Sequence, residues 1–111
     1  MIALSSGIDS SLIASIIKKR NISAITIGYG TNKKNDELEN ARKFCNKNNI
    51  KFNGIKIKTE EFVNFFPKLI KKSVEPIADP ALYIYYRINH EASKLGFKVL
   101  INGNGADEIF Y

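Results

Sequence analysis

Two segments of this chain carry residue types whose spacing could do chemistry. The first is Ser5-Ser6-Gly7-Ile8-Asp9-Ser10-Ser11, set between the apolar triplet Ile2-Ala3-Leu4 and a run with helical spacing. Where a strand turns straight into a helix, the first backbone N–H groups have no intrahelical partner and lie at the positive end of the helix dipole. Together with serine hydroxyls they make a cradle for an anion such as phosphate. A Walker-type loop would need a lysine near Ser10 and a longer glycine spacing, and the three-glycine dinucleotide fingerprint is missing, so the loop is of neither kind. Asp9 would repel phosphate unless a hard cation lay between them, and a magnesium ion bridging phosphate oxygens resolves that conflict. On these residues alone a plainer reading stays open, in which Ser5, Asp9 and Ser10 only cap a helix. The second segment is Asn102-Gly103-Asn104-Gly105-Ala106-Asp107-Glu108, again entered from an apolar strand. Asp9 and Asp107 could share magnesium if both loops reached one place; turn glycines with a helix-capping aspartate are the alternative.

Both loops can act together only if the intervening elements bring them to one edge. Ile8, Leu12, Ile13, Ile16 and Ile17 follow helical spacing, and Lys18-Lys19-Arg20 closes that helix before Asn21. Ile22 to Ile27 reads as a strand ending at Gly28. A helix starting near Asn35, with Asp36 and Glu37 in its first turn, buries Leu38, Ala41 and Phe44. From Phe52 to Lys58, isoleucines alternate with lysines, the period of an edge strand with one wet face. Thr59 is placed to cap the next helix, whose apolar face is Phe62, Phe65, Phe66, Leu69 and Ile70, and Pro67 predicts a kink or break near Phe66. Asp79-Pro80 opens a further helix running to about Leu95, with Gly96 as its stop. Val99-Leu100-Ile101 completes a β-α-β-α-β-α-α-β pattern, which predicts an α/β fold: a parallel sheet with helices on both faces. Ligands of such sheets bind beyond the carboxyl ends of the strands, here at the turns after Leu4, Ile27 and Ile101.

With both loops in view the sequence resembles the ATP-pyrophosphatase (synthetase) domain of glutamine-hydrolysing asparagine synthetases and their relatives, the β-lactam synthetases among them. The family's pyrophosphate loop, Ser-Gly-Gly-x-Asp-Ser, is matched by Ser5 to Ser10, and its later signature, roughly Ser-Gly-Glu-Gly-Ala-Asp-Glu-Leu-Phe, by Asn102 to Phe110. Asp36-Glu37 with Ala41-Arg42, and Glu75-Pro76-Ile77-Ala78-Asp79-Pro80, stand at the family's places between them. The resemblance covers essentially the whole chain. It implies a Rossmann-like fold of the adenine nucleotide alpha hydrolase type, for which we expect four parallel strands in order 3-2-1-4. It also implies an ATP-dependent amidotransferase that adenylates an aspartate-like carboxylate, releases pyrophosphate and lets ammonia attack the acyl adenylate. By residue it implies that Ser5, Gly7, Asp9, Ser10 and Ser11 bind pyrophosphate, that Asp9 and Asp107 hold magnesium, and that Leu4, Ile27, Asn102 and Gly103 line the adenosine pocket. Glu75 and Asp79 belong to a segment that nears the site in relatives, although Asp79 also reads as a plain helix cap.

The departures carry expectations of their own. Ser6 replaces a residue that is usually glycine, so its side chain is expected to crowd the phosphates or to need a backbone angle serine disfavours. Asn104 stands where many members have a glutamate that accepts protons from the incoming amine, and an amide cannot serve as that base. Residues 1–111 are expected to be one partial synthetase domain, with the glutaminase domain absent and a glutaminase or the rest of the synthetase as the expected partner on another chain. Two other readings accompany this one: a non-catalytic fragment that binds nucleotide or a partner, and a related synthetase acting on another acceptor.

Composition narrows the field. Of 111 residues 44% are hydrophobic and 25% charged, and no apolar run approaches the roughly 20 residues of a membrane helix. The apolar start is broken at once by Ser5, Ser6, Gly7 and Asp9, so no secretory signal is expected. The single cysteine, Cys45, makes a reducing, cytoplasmic setting the expectation, and beside Phe44 in a helix it reads as packing rather than nucleophile. The net charge of +6 is uneven: residues 1–74 hold 14 basic and 6 acidic groups, residues 75–111 hold 3 and 5. With no arginine stripe interleaved with aromatics, a solvated lysine-rich surface is expected in place of nucleic-acid binding. His90 has no second histidine for a metal site; Tyr83, Tyr85 and Tyr86 could line a pocket, but helix burial is the expectation, and the Phe65-Phe66 pair is expected to be core, or else surface left bare by missing partners.

Overall fold

The computed structural model describes residues 1–29, 37–75 and 79–110, without the side chains of Asp107 and Phe110. The elements are β1 (Ile2–Ala3), α1 (Ile8–Ile17), β2 (Ser23–Tyr29), α2 (Glu37–Lys47), β3 (Lys51–Ile57), α3 (Thr59–Lys72), α4 (Ala81–Lys94) and α5 (Ala106–Phe110). α1 tightens into a single 3-10 turn over Lys18–Arg20, where three cations meet the negative helix end, and stops at Asn21 in the left-handed region (φ 52°). Gly96 (φ 83°) ends α4 as its position predicts.

The three strands are parallel in the order β1-β2-β3. β2 is the centre, buried from Ser23 to Gly28, as expected of a parallel strand covered on both faces. One face packs Ile2, Leu4 and Ala24 against Ala14 of α1 and Ala41 and Cys45 of α2. The other packs Ile25, Ile27 and Ile57 against Phe62, Phe65 and Phe66 of α3 and Tyr83 and Ile88 of α4. β3 lies at the edge, with Lys51 and Lys56 exposed and Ile57 buried. The Thr26 hydroxyl, itself buried, donates to Leu4 O at 2.8 Å and ties β2 to the end of β1.

Several expectations need correction. The fourth strand is reduced to one parallel bridge, Ile2 with Ile101, on the free side of β1, so the order 3-2-1-4 survives with three strands and a bridge. Ala3 N–H donates to Ile101 O (2.8 Å) and Ile101 N–H to Met1 O (2.9 Å). A two-residue β1 offers no longer ladder, and Val99 and Ile101 remain 66% and 38% exposed, so little burial favours a longer strand. Pro67 does not break α3, which continues to Lys72. The carbonyl deprived of its partner belongs to Val63, which is exposed, so water can satisfy it. Thr59 is the first helical residue rather than the cap; Lys58 holds the cap position in extended geometry with no side-chain hydrogen bond. Only two of the five α1 pattern residues face inward: Ile13 and Ile17 pack on the core, whereas Ile8, Leu12 and Ile16 are exposed.

Candidate functional site

The first loop is shaped by Ser10. Its hydroxyl, on a buried residue, accepts Ser5 N–H (3.1 Å), shares a hydrogen bond with Ser5 Oγ (2.9 Å) and lies 3.3 Å from Ser5 O. Ser5 Oγ in turn accepts Gly7 N–H at 3.2 Å. Gly7 is the cap residue of α1 in extended geometry (φ −75°, ψ 160°), and the first helical bond runs from Ser11 N–H to Gly7 O (3.4 Å). The N–H groups of the first turn therefore have no intrahelical acceptor, and residues 5–9 around them are exposed. Ser6 corrects the expectation of strain: among the described residues the non-glycine positions with positive φ are Asn21 and Asn49, so serine fits at position 6 without an unfavourable backbone angle.

The second loop meets the first at Gly103. A Cβ there would lie 2.9 Å from Ser10 N, 3.2 Å from Ser10 Cα and 3.3 Å from Asp9 C, all backbone atoms that cannot rotate aside. Only glycine lets the loop close onto the helix start. Asn102 Oδ1 accepts Asn104 N–H (3.2 Å), and Asn104 Nδ2 donates across to the hydroxyl of Tyr85 on α4 (2.6 Å).

Between the loops lies a cleft of about 330 Å³ at the carboxyl edge of the sheet. Leu4, Ser5, Asp9, Ser10, Ile27, Asn102 and Gly103, all singled out from sequence, line it. Gly7 and Ser11 are not among its lining residues; the Ser11 carbonyl accepts the Ser15 hydroxyl (2.8 Å). The Asp107 side chain lies outside the described residues. Glu75 is exposed and is not among the lining residues; Pro80 holds the cap position of α4 rather than the first helical one, and Asp79 stands just before it, its Oδ1 accepting Ala81 N–H at 2.8 Å. Of the far wall that α4 supplies, the sequence offered Tyr85 as an alternative to burial, while Ile84, Ile88 and Asn89 were missed. Their spacing is one helical face, so the signal is present in the period of α4. The structure splits the tyrosine run: Tyr83 is buried at 1% exposure, while Tyr85 sits at the cleft with 45% exposed.

Asp9 and Glu37 line the cleft, and no lysine or arginine is among its described lining residues. Burial, and then the Glu37 carboxylate, push the Tyr29 hydroxyl above its ordinary range. An anion entering this cleft meets positive potential from the start of α1, and any further compensation must come with a cation. Among the described residues no cluster of three or more histidine, cysteine, aspartate or glutamate side chains forms a metal cage. The donor set present, an exposed carboxylate beside a phosphate-type loop, suits magnesium, which takes one or two carboxylates and completes its shell with phosphate and water.

A parallel α/β sheet with an exposed serine- and glycine-built loop between β1 and α1, and a second glycine loop packed on it, defines an α/β protein with its cleft at the carboxyl edge of the sheet. More narrowly, the chain belongs to the asparagine synthase family, whose model matches residues 1–111. It is 35% identical over 108 residues, 96% of its length, to glutamine-hydrolysing asparagine synthetase 1 of Bacillus subtilis, and spans 17% of that relative. Among solved structures the fold is shared with the NH3-dependent NAD synthetase of Campylobacter jejuni in complex with the nitrate ion. There the TM-score is 0.63 at 24% identity, over 97% of this chain and 48% of that one. No helix among the described residues is long and apolar enough to cross a membrane.

Proposed function

We propose that this chain is the nucleotide-binding part of an ATP-dependent amidotransferase of the asparagine synthetase type. The observation that carries the reading is the contact of Gly103 with the Ser10 backbone, which joins both family signatures around one cleft. In this reading the ATP phosphates lie on the first-turn N–H groups of α1, with Ser5, Gly7, Ser10 and Ser11 around the pyrophosphate. Leu4, Ile27, Asn102 and Gly103 flank the adenosine. Asp9 and Asp107 would hold magnesium, which when bound would neutralise the pyrophosphate charge. An aspartate-like carboxylate oxygen attacks the α-phosphorus, the bond to pyrophosphate breaks, and the acyl adenylate forms. Ammonia then attacks the acyl carbon, AMP departs with the bonding pair, and the surplus proton passes to water, since the Asn104 amide cannot take it. A glutaminase, on this or another polypeptide, supplies the ammonia, and the buried free thiol of Cys45 agrees with a cytoplasmic setting.

The test is acid-dependent exchange of labelled pyrophosphate into ATP by the protein with magnesium and L-aspartate. Exchange that requires the acid supports adenylation; absence of both exchange and nucleotide binding overturns the reading. One observation favours a second reading, nucleotide binding without turnover: the amide of Asn104 at the position of the family's base. Tight binding of ATP with no pyrophosphate release selects it.

A further inference from the structure

Resting on that reading, we infer that Tyr85 and Asn104 form a pair of hydrogen-bond donors that holds the carboxylate of the acceptor acid. Asn104 Nδ2 donates to the Tyr85 hydroxyl at 2.6 Å, and both residues line the cleft. A phenol whose lone pair receives an N–H must send its own proton elsewhere, and among the described residues Tyr85 Oη makes no other hydrogen bond. One Nδ2 proton of Asn104 is used on Tyr85 and the second remains. The pair thus offers two neutral donors at the rim.

Their place follows from the order of the sheet. Along its carboxyl edge the cleft is lined by Thr26 and Ile27 at β2, by Ser5, Asp9 and Ser10 after β1, and by Asn102 to Asn104 after the bridging segment. With adenosine flanked by Leu4, Ile27, Asn102 and Gly103 and phosphates over α1, the lining left for a second substrate includes Asn104 and Tyr85. Gly103 pins this loop to Ser10, so its neighbour Asn104 is held close to the reacting phosphate. Glutamate at position 104 would accept the tyrosine proton and present a negative charge to the acceptor. Asparagine reverses both effects, and Asp9 and Glu37 elsewhere in the lining make an uncharged donor rim the favourable place for an incoming carboxylate.

The protein saturated with magnesium and a non-hydrolysable ATP analogue is titrated calorimetrically with L-aspartate, succinate and the uncharged succinamide. Both acids are expected to bind and the diamide is not. Tyr85→Phe keeps the ring and loses one charge-assisted hydrogen bond, so acid affinity falls about tenfold. Asn104→Asp is expected to weaken the acids at least as much by repulsion, and in Tyr85→Phe analogue affinity and melting temperature stay at wild-type values. Acid affinity within twofold of wild type in Tyr85→Phe, no acid binding by the wild type, or diamide binding equal to the acids overturns the donor pair. Nucleotide binding that persists in those cases leaves the synthetase reading standing, whereas loss of nucleotide binding in the wild type overturns both. Should Tyr85→Phe unfold, Asn104→Asp decides the question from the loop side.

Discussion

Gly103→Ala is the sharpest test of how the two loops make one site. The added methyl would sit 2.9 Å from Ser10 N and 3.2 Å from Ser10 Cα, well inside carbon contact distance, and the atoms it meets are helix backbone. Relief requires the 102–104 loop to lift by roughly half an ångström or more, at a cost of about 1–3 kcal/mol by the usual scale of overpacking. In a domain of this size each kcal/mol lowers the melting temperature by about 4–8 °C. The same lift misplaces groups around the phosphates, where an error approaching 1 Å costs up to about 100-fold. We expect affinity for a magnesium-ATP analogue, measured by calorimetry, to fall about 10- to 100-fold. Gly96→Ala is the control, because it strains a positive φ at the end of α4, has open space around the new methyl, and lies away from the cleft. It is expected to lose about 1 kcal/mol of stability with nucleotide affinity unchanged. Wild-type affinity in Gly103→Ala, or an equal loss in Gly96→Ala, would refute the argument that loop contact builds the site.

Three further outcomes can be checked. Asp9→Asn is expected to weaken analogue binding about tenfold or more in magnesium and to abolish the effect of EDTA; a variant that stays EDTA-sensitive at wild-type affinity counts against the magnesium role. Thr26→Val leaves the Leu4 carbonyl without its buried donor at nearly constant volume, so denaturant melts should show a loss of about 1–3 kcal/mol, and a change under 0.5 kcal/mol contradicts it. Burial pushes the Cys45 thiol up, so the folded protein holds that proton longer than the unfolded chain does. Its contribution is therefore complete below the unfolded thiol value of about 8.5 and is lost as pH rises through the folded value. The stability difference between wild type and Cys45→Ala should shrink above that pH, and a growing difference would show the sign to be wrong.

The sequence by itself determined whatever rests on neighbours along the chain. The 3.6 and 2.0 periods, the helix start at Asp79-Pro80, the stop at Gly96 and the cations closing α1 are local, and each was legible where it stands. So were both loops, because the residues that cradle an anion at a helix start are consecutive. Tertiary structure alone decided what depends on elements meeting across the fold. Nothing adjacent to Gly103 in sequence announces that its missing side chain makes room for the backbone of Ser10. The Ile84 and Tyr85 wall became part of the cleft only because α4 packs on the face of the sheet opposite α1. Pro67 and the Val99 to Ile101 segment show the converse, where local preference was overruled by solvent access in α3 and by the shortness of β1. Short-range rules fix which elements form, but burial and backbone clearance between distant segments fix which residues share a site.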